Sequence, residues 1–254
     1  MTAILRVENL GITFGGLKAV SRFDMELHEG ELVGLIGPNG AGKTTVFNLL
    51  TGVYTPTEGD IWLNNNSTNK KRPDQLVKMG IARTFQNIRL FKNMTVLDNV
   101  RVACNAQMKY NMVSSIFRLP SFWREEKAIR EKAISILQVF GLETDLDTKA
   151  DNLPYGQQRK LEIARALATD PAVLLLDEPA AGMNPTETNE LMRTINLIRE
   201  QFNTTILLIE HDMNLVLGIC HRIIVLDYGQ IIASGLPDEV INDPRVIAAY
   251  LGEE

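Results

Sequence analysis

The sequence is short of cysteine, of long apolar runs and of positive charge, and each shortage excludes a class of protein. Two cysteines, Cys104 and Cys220, stand far apart among 254 residues, both in apolar surroundings. That is no disulfide framework, and buried thiols in a reducing compartment are expected. No window approaches the roughly 20 apolar residues that a membrane-spanning helix needs. The opening MTAILRVENLGITF has no basic segment followed by a long apolar run, so no signal peptide is expected. The net charge of −5 argues against a broad electrostatic footprint for nucleic acid, although a local basic patch is compatible with it. Internal repeats and low-complexity linkers are absent. The chain is expected to be soluble and cytoplasmic; at a membrane it must dock on a protein that spans it.

What is present is ordinary globular composition, 45% hydrophobic and 22% charged, in a chain long enough for one large α/β domain or a core with an inserted subdomain. Short apolar runs alternate with helical patterns. ELVGLIG (31–37), LLLD (174–177), TTILLIE (204–210) and RIIVLD (222–227) read as buried strands of a mostly parallel sheet with crossover helices. ILRVENLGITF (4–14) alternates and reads as an edge strand of an antiparallel sheet, and GDIWLN (59–64) looks similar. NNNSTNKK (64–71) reads as a surface loop. From about 88 to 165 the strand pattern gives way to helices. TVLDNVRVACNAQM (95–108) comes first, then a loop containing Pro120, then the amphipathic FWREEKAIREKAISILQVFGL (122–142) ended by Gly141.

GPNGAGKT (37–44) follows the strand ELVGLI directly and precedes the helical TTVFNLLTG (44–52). It fits G-x-x-x-x-G-K-[ST] through Gly37, Gly42, Lys43 and Thr44. Backbone N–H groups of a glycine-rich turn converge on phosphate oxygens, and the helix N-terminus adds its dipole. Gly37, Pro38, Asn39, Gly40, Ala41, Gly42, Lys43, Thr44 and Thr45 are therefore the candidate nucleotide-binding residues. Lys43 would place its charge on the β- and γ-phosphates, and the Thr44 hydroxyl would serve Mg²⁺. A dinucleotide site is the weaker rival, because a Lys-Thr pair has no task there.

Three further stretches end in chemistry-bearing residues. VLLLDEP (173–179) carries Asp177 to a sheet edge, where it can hold Mg²⁺ through water, with Glu178 next to polarise the attacking water. The plainer alternative is two acids capping a helix that begins near Pro185. TILLIEHD (205–212) puts His211 at a strand's carboxyl end, placed to contact a γ-phosphate. Gln86, in ARTFQN, could ligate Mg²⁺ or a water and sense the γ-phosphate, or be a plain polar loop residue. Finally, LPYGQQRKLEIARAL (153–167) is an amphipathic helix with Leu161, Ile163, Ala164 and Leu167 on its apolar face, opened by Gly156 where an anion would be welcome.

GPNGAGKTT, FQN, LPYGQQRKLEIARAL, LLLDEP and IEHD, in this order, resemble the ATP-binding subunit of an ABC transporter over essentially the whole chain. The resemblance implies a P-loop ATPase core with a mostly parallel sheet, an antiparallel β subdomain and an inserted helical subdomain. The core would be residues 1–87 and 166–254, and the helical subdomain 88–165. It implies ATP and Mg²⁺ as ligands, the metal at Thr44, Gln86 and Asp177. It makes Glu178 the catalytic glutamate, His211 the switch histidine and Lys43 their partner in catalysis. Phe14 matches the aromatic that stacks on adenine, and Gln86 the loop linking ATP to the membrane partner. Two such subunits pack head to tail, and the helix behind Tyr155, Gly156 and Gln157 meets the γ-phosphate of ATP on the other. The family signature LSGGQ here reads Leu153-Pro154-Tyr155-Gly156-Gln157, without its serine hydroxyl and first glycine. The composite site using it is expected to be weaker, slower or asymmetric. Asn184 stands where the family's D-loop usually has Asp.

The wording of YGQQRKLEIARAL, EPAAGMNPTET and residues 108–128 is similar to the branched-chain amino-acid importers, and within them to the first of two ATPases. That implies a second, different ATPase subunit, two transmembrane permeases, a periplasmic substrate-binding protein and a place on the cytoplasmic face of the cell membrane, with no nucleic-acid partner. Other importers, a lipid exporter, a soluble ABC ATPase of DNA repair or translation, and an ATP-binding regulatory subunit are the rival readings.

Overall fold

The computed structural model of the chain describes residues 3–104 and 120–251. In chain order its strands are β1 (Ala3–Phe14), β2 (Leu17–His28), β3 (Leu32–Ile36), β4 (Glu58–Leu63), β5 (Asn66–Ser67), β6 (Ile81–Arg83), β7 (Val173–Asp177), β8 (Thr205–Ile209), β9 (Arg222–Asp227) and β10 (Gln230–Gly235). The helices are α1 (Lys43–Leu50), α2 (Pro73–Met79), α3 (Val96–Cys104), α4 (Pro120–Val139), α5 (Tyr155–Leu167), α6 (Pro185–Phe202), α7 (Met213–Ile219), α8 (Pro237–Ile241) and α9 (Pro244–Leu251). They form two compact units, one made of the chain up to Gln86 and from Ala172 onward, the other of Asn87–Pro171.

The first unit holds both sheets. The six-stranded sheet has the order β10-β9-β3-β8-β7-β6, parallel from β9 to β6, with β10 antiparallel at its edge. Every residue of β3, β7 and β8 is buried. Strands covered on both faces have no reason to alternate, which is why LVGLI, VLLLD and TILLI read as unbroken apolar runs. Register then does the positioning. Leu35 pairs with Ile209, and Asp177 pairs with Ile209 from the other side. The residues just past these strands therefore leave the sheet along one edge: the loop from Gly37, Glu178, and Glu210 with His211. Carboxyl ends of parallel strands are where open α/β sheets place ligands.

The second sheet is antiparallel, in the order β2-β1-β4-β5. Here β1 is an interior strand, paired to β2 on one side and β4 on the other, and not the edge strand that its alternation suggested. Alternation reports one buried face and says nothing of lateral neighbours. Within the segment read as a surface loop, Asn66 and Ser67 pair with β4 as the short strand β5. The two sheets and α1 share a core in which Leu5, Phe23, Phe47, Leu207 and Leu226 are buried together. Each such side chain contributes about 2–3 kcal/mol of hydrophobic stabilisation.

The second unit is helical. Ile129, Ala133, Ile136 and Leu137 recur at helical spacing on α4 and are buried, as are Val96, Leu97 and Val100 of α3 and Leu161, Ala164 and Leu167 of α5. Asn99, fully buried, answers the backbone of Phe91 with both halves of its amide. Among the described residues α4 is helical from Pro120, so the helix takes in the two residues before the expected 122. It ends at Val139, and Gly141 follows with φ 66°, the left-handed turn that glycine permits. The expected helix 95–108 is seen as α3 up to Cys104; residues 105–108, and most of the 108–128 stretch, lie outside the described residues.

Candidate functional site

The loop between β3 and α1 is built on glycines that no other residue replaces. Gly37 has φ 149°, and a Cβ there would lie 2.0 Å from the carbonyl oxygen of Leu226. Gly42, at φ 104°, would place a Cβ 2.9 Å from the Ala19 oxygen. Neighbouring backbone thus holds the turn shut from outside, while α1 begins at Lys43 with Thr44 exposed and Thr45 half-buried. Ala41 is buried and its carbonyl accepts from the Gly229 N–H at 2.8 Å. Lys43 folds back over its own loop, Nζ donating to the carbonyls of Gly37 (2.6 Å) and Pro38 (2.9 Å). Burial lowers its pKa, and the carboxylates of Glu178 and Asp177 oppose that shift. Beside Pro38, Asn39 and Gly40 a cleft of about 970 Å³ is walled by Tyr228 and by Arg245 and Ala248 of α9.

Asp177 closes β7 with its carboxylate buried. Its Oδ2 accepts from Arg83 Nη2 at 2.7 Å, with only 7% and 5% of the two side chains exposed. Arg83, the last residue of β6, also donates to Asn48 Oδ1 at 2.7 Å and lies over the rings of Phe47 and Phe85.

Glu178 follows with φ 47°, a left-handed backbone that a non-glycine residue adopts at a cost of about 1–3 kcal/mol. The strain is held by its own contacts. Its N–H donates to the Ile209 carbonyl at 2.9 Å. Its Oε1 pairs with His211 Nε2 at 2.8 Å, and its Oε2 accepts from Gln86 Nε2 at 2.9 Å. The tertiary fold therefore brings Gln86, Glu178 and His211, each singled out separately in the sequence, into one hydrogen-bonded set. Behind it lies Glu210, which the sequence reading passed over. Its buried carboxylate accepts from the N–H of Ala180 (2.8 Å) and of His211 (3.1 Å), stitching the loop after Glu178 to the loop that carries His211. Burial pushes the Glu210 carboxyl up, and the backbone N–H bonds oppose it.

Phe14, at the end of β1, is exposed and meets Tyr54 edge-on at 5.2 Å between ring centres. The residues Tyr155, Gly156 and Gln157 belong to the helical unit. There α5 begins at Tyr155, one residue before the expected Gly156, with Pro154 as its N-cap. Tyr155 is exposed and Gly156 buried. Within this helix Arg159 and Glu162 form a buried ion pair at 3.0 Å, and the Arg159 guanidinium lies 5.9 Å from the Tyr155 ring centre. The other oxygen of Glu162 accepts from the Arg89 N–H at 3.1 Å. Burial raises the Glu162 pKa against that hydrogen bond and the Arg159 charge. Arg83, Glu210 and the Arg159–Glu162 pair carried no signal of their own in the sequence, where a single charged residue beside an apolar run reads as a solvated end.

Strand, glycine loop and helix, with acids at the end of β7 two strands away in the same sheet, define a P-loop ATPase core. The family model described as ABC transporter matches residues 20–181, and one described as branched-chain amino acid ATP-binding cassette transporter matches residues 230–254. The high-affinity branched-chain amino acid transport ATP-binding protein LivG of Salmonella typhimurium is 50% identical over 98% of this chain and 98% of its own. Among solved structures, the ADP conformation of MJ1267, an ATP-binding cassette of an ABC transporter, is 35% identical with a TM-score of 0.86, covering 100% of both chains. A dimeric post-hydrolysis state of the cassette MJ0796, bound to ADP and Pi, is 26% identical with a TM-score of 0.76 over 92% of this chain and 98% of that one. The chain belongs to the ABC transporter family, as one of its nucleotide-binding ATPase cassettes. No helix among the described residues is long and apolar enough to cross a membrane.

Proposed function

We propose that the chain hydrolyses ATP to energise import of leucine, isoleucine and valine through a membrane transporter. One observation carries the chemistry: Glu178 stands at the sheet edge, beside the phosphate loop, with both carboxylate oxygens engaged by His211 and Gln86. The cargo rests on the likeness to LivG and on the match over residues 230–254.

In this reading the N–H groups from Gly40 to Thr45 cradle the β- and γ-phosphates, and Lys43 exchanges the carbonyls of Gly37 and Pro38 for phosphate oxygen. Phe14 stacks on adenine. Glu178 accepts a hydrogen bond from the attacking water, while His211 and Lys43 face the γ-phosphate where charge develops. Thr44, Asp177 and Gln86 would hold Mg²⁺. Their donors are hydroxyl, carboxylate and amide oxygens, the hard donors that Mg²⁺ takes. Bound there, the ion would neutralise phosphate oxygens.

The partners follow the same reading. A second, different ATPase packs head to tail, so that Tyr155, Gly156 and Gln157 meet the γ-phosphate of the nucleotide that it holds. Two permeases receive the motion through the Gln86 loop on the cytoplasmic face of the membrane, and a periplasmic binding protein delivers cargo to them. The test is Glu178→Gln in the assembled complex. ATP binding is expected to persist while phosphate release slows roughly a hundredfold or more, and leucine uptake by proteoliposomes stops. Wild-type phosphate release from that variant would remove Glu178 from the chemistry. Uptake of a different solute class in place of leucine would reassign the cargo.

A further inference from the structure

The ion pair between Arg83 and Asp177 has no place in the reaction just described, and it occupies the one carboxylate that the metal needs. Arg83 does not drift to that position. It closes β6, the strand beside β7 in the sheet. Nη2 reaches Asp177 Oδ2 at 2.7 Å, and Nη1 is held by Asn48 Oδ1 at 2.7 Å and Thr51 Oγ1 at 3.3 Å. The guanidinium is flanked by the Phe47 ring at 5.5 Å and the Phe85 ring at 5.1 Å. Phe47 and Asn48 lie on α1, the helix that starts in the phosphate loop, and Gln86 follows three residues after Arg83. A guanidinium fixed by so many groups is a permanent positive charge at contact distance from Asp177.

The surroundings then balance. The carboxylates of Asp177 and Glu178 are faced by two fixed cations, Arg83 and Lys43. A divalent cation arriving alone would meet a buried guanidinium already paired with its carboxylate. Arriving with nucleotide, it brings along the phosphate charges that offset it.

We propose that Arg83 is a positioning residue that denies Asp177 to a divalent cation until nucleotide is bound, so that metal loads only together with phosphate. This rests on the reading of Asp177 as the metal-side carboxylate.

The experiment uses the full chain with Mn²⁺ as probe, followed by its paramagnetic resonance signal, with and without ADP. Without nucleotide the wild type is expected to bind Mn²⁺ weakly. Arg83→Gln should bind it roughly tenfold or more tightly, since a like charge at contact distance has gone. Arg83→Lys, which keeps the charge, should stay weak, and the gain should vanish in the double variant with Asp177→Asn. A general loosening of the fold would not be reversed by restoring charge alone. Arg83→Gln binding no better than wild type overturns the inference, as does a gain that survives Asp177→Asn. Wild type that binds Mn²⁺ as tightly without ADP as with it overturns the inference even if the variants do not fold. Asp177→Asn alone separates the two readings. If it leaves Mn²⁺ binding with ADP unchanged, the assignment of Asp177 itself fails; if it weakens that binding while Arg83→Gln gains nothing, only the role given to Arg83 fails.

Discussion

Glu210 shows how a buried carboxylate holds in place the backbone around two candidate site residues. Its two carboxylate oxygens hold the N–H groups of Ala180 and His211, so the segment after Glu178 and the loop bearing His211 are tied to one side chain. Burial raises its pKa, which means the folded state binds that proton more tightly than the unfolded chain does. The stability linked to it is fully present below the ordinary glutamate value and is lost as pH rises through the raised one. Glu210→Gln cannot titrate. The stability difference between wild type and this variant, from urea midpoints across about pH 4 to 7, is therefore expected to shrink as pH rises. A difference that grows with pH would mean that the carboxylate is stabilised by folding. The spacing of Gly37, Gly42, Lys43 and Thr44 was legible in sequence because the geometry of backbone N–H groups around a phosphate dictates it. Glu210 and Arg83 were not, because their meaning lies in partners 30 and 94 residues away.

Among the elements, α6 has the most informative start. Asn184, which the family resemblance places in a loop that reaches across a dimer, is here the N-cap of α6. Its Oδ1 accepts from the Glu187 N–H at 3.0 Å, and Glu187 Oε2 accepts from the Asn184 N–H at 3.0 Å. That reciprocal box uses the side chain locally. Asn184→Ala is expected to lower unfolding stability by about 1 kcal/mol, and Asn184→Asp to keep the cap and add about 0.5 kcal/mol from the helix dipole. Denaturant titration of both variants checks the pair; an alanine variant as stable as wild type would show that the box is idle. Elements with a helical or fully apolar pattern were legible, as α5, β3, β7 and β8 show. β2, β6 and β10 went unread, because a short or half-exposed strand takes its identity from neighbours such as β1, β7 and β9.

For the whole molecule, the scarcity of cysteine becomes a chemical property. Cys104 and Cys220 are both buried and unpaired with each other. Burial raises both thiols, Cys220 to about 12, so neither supplies thiolate near neutral pH. The native chain is expected to resist a thiol-specific reagent at pH 8, and both thiols should react at once in denaturant. Rapid modification of one thiol in the native chain would reveal local opening at that site. The large-scale division of labour has an equally physical origin. Sequence by itself determined the phosphate loop, the strand ends bearing Asp177, Glu178 and His211, and the helical character of the described parts of 95–108 and 122–142, because each depends on dihedral preference, periodicity or the spacing of adjacent residues. Only the tertiary structure decided that Gln86, Glu178 and His211 share one set of hydrogen bonds, that β1 is an interior strand, and that Arg83 pairs with Asp177. Those facts follow from strand order and register, which bring together side chains that the chain itself keeps far apart.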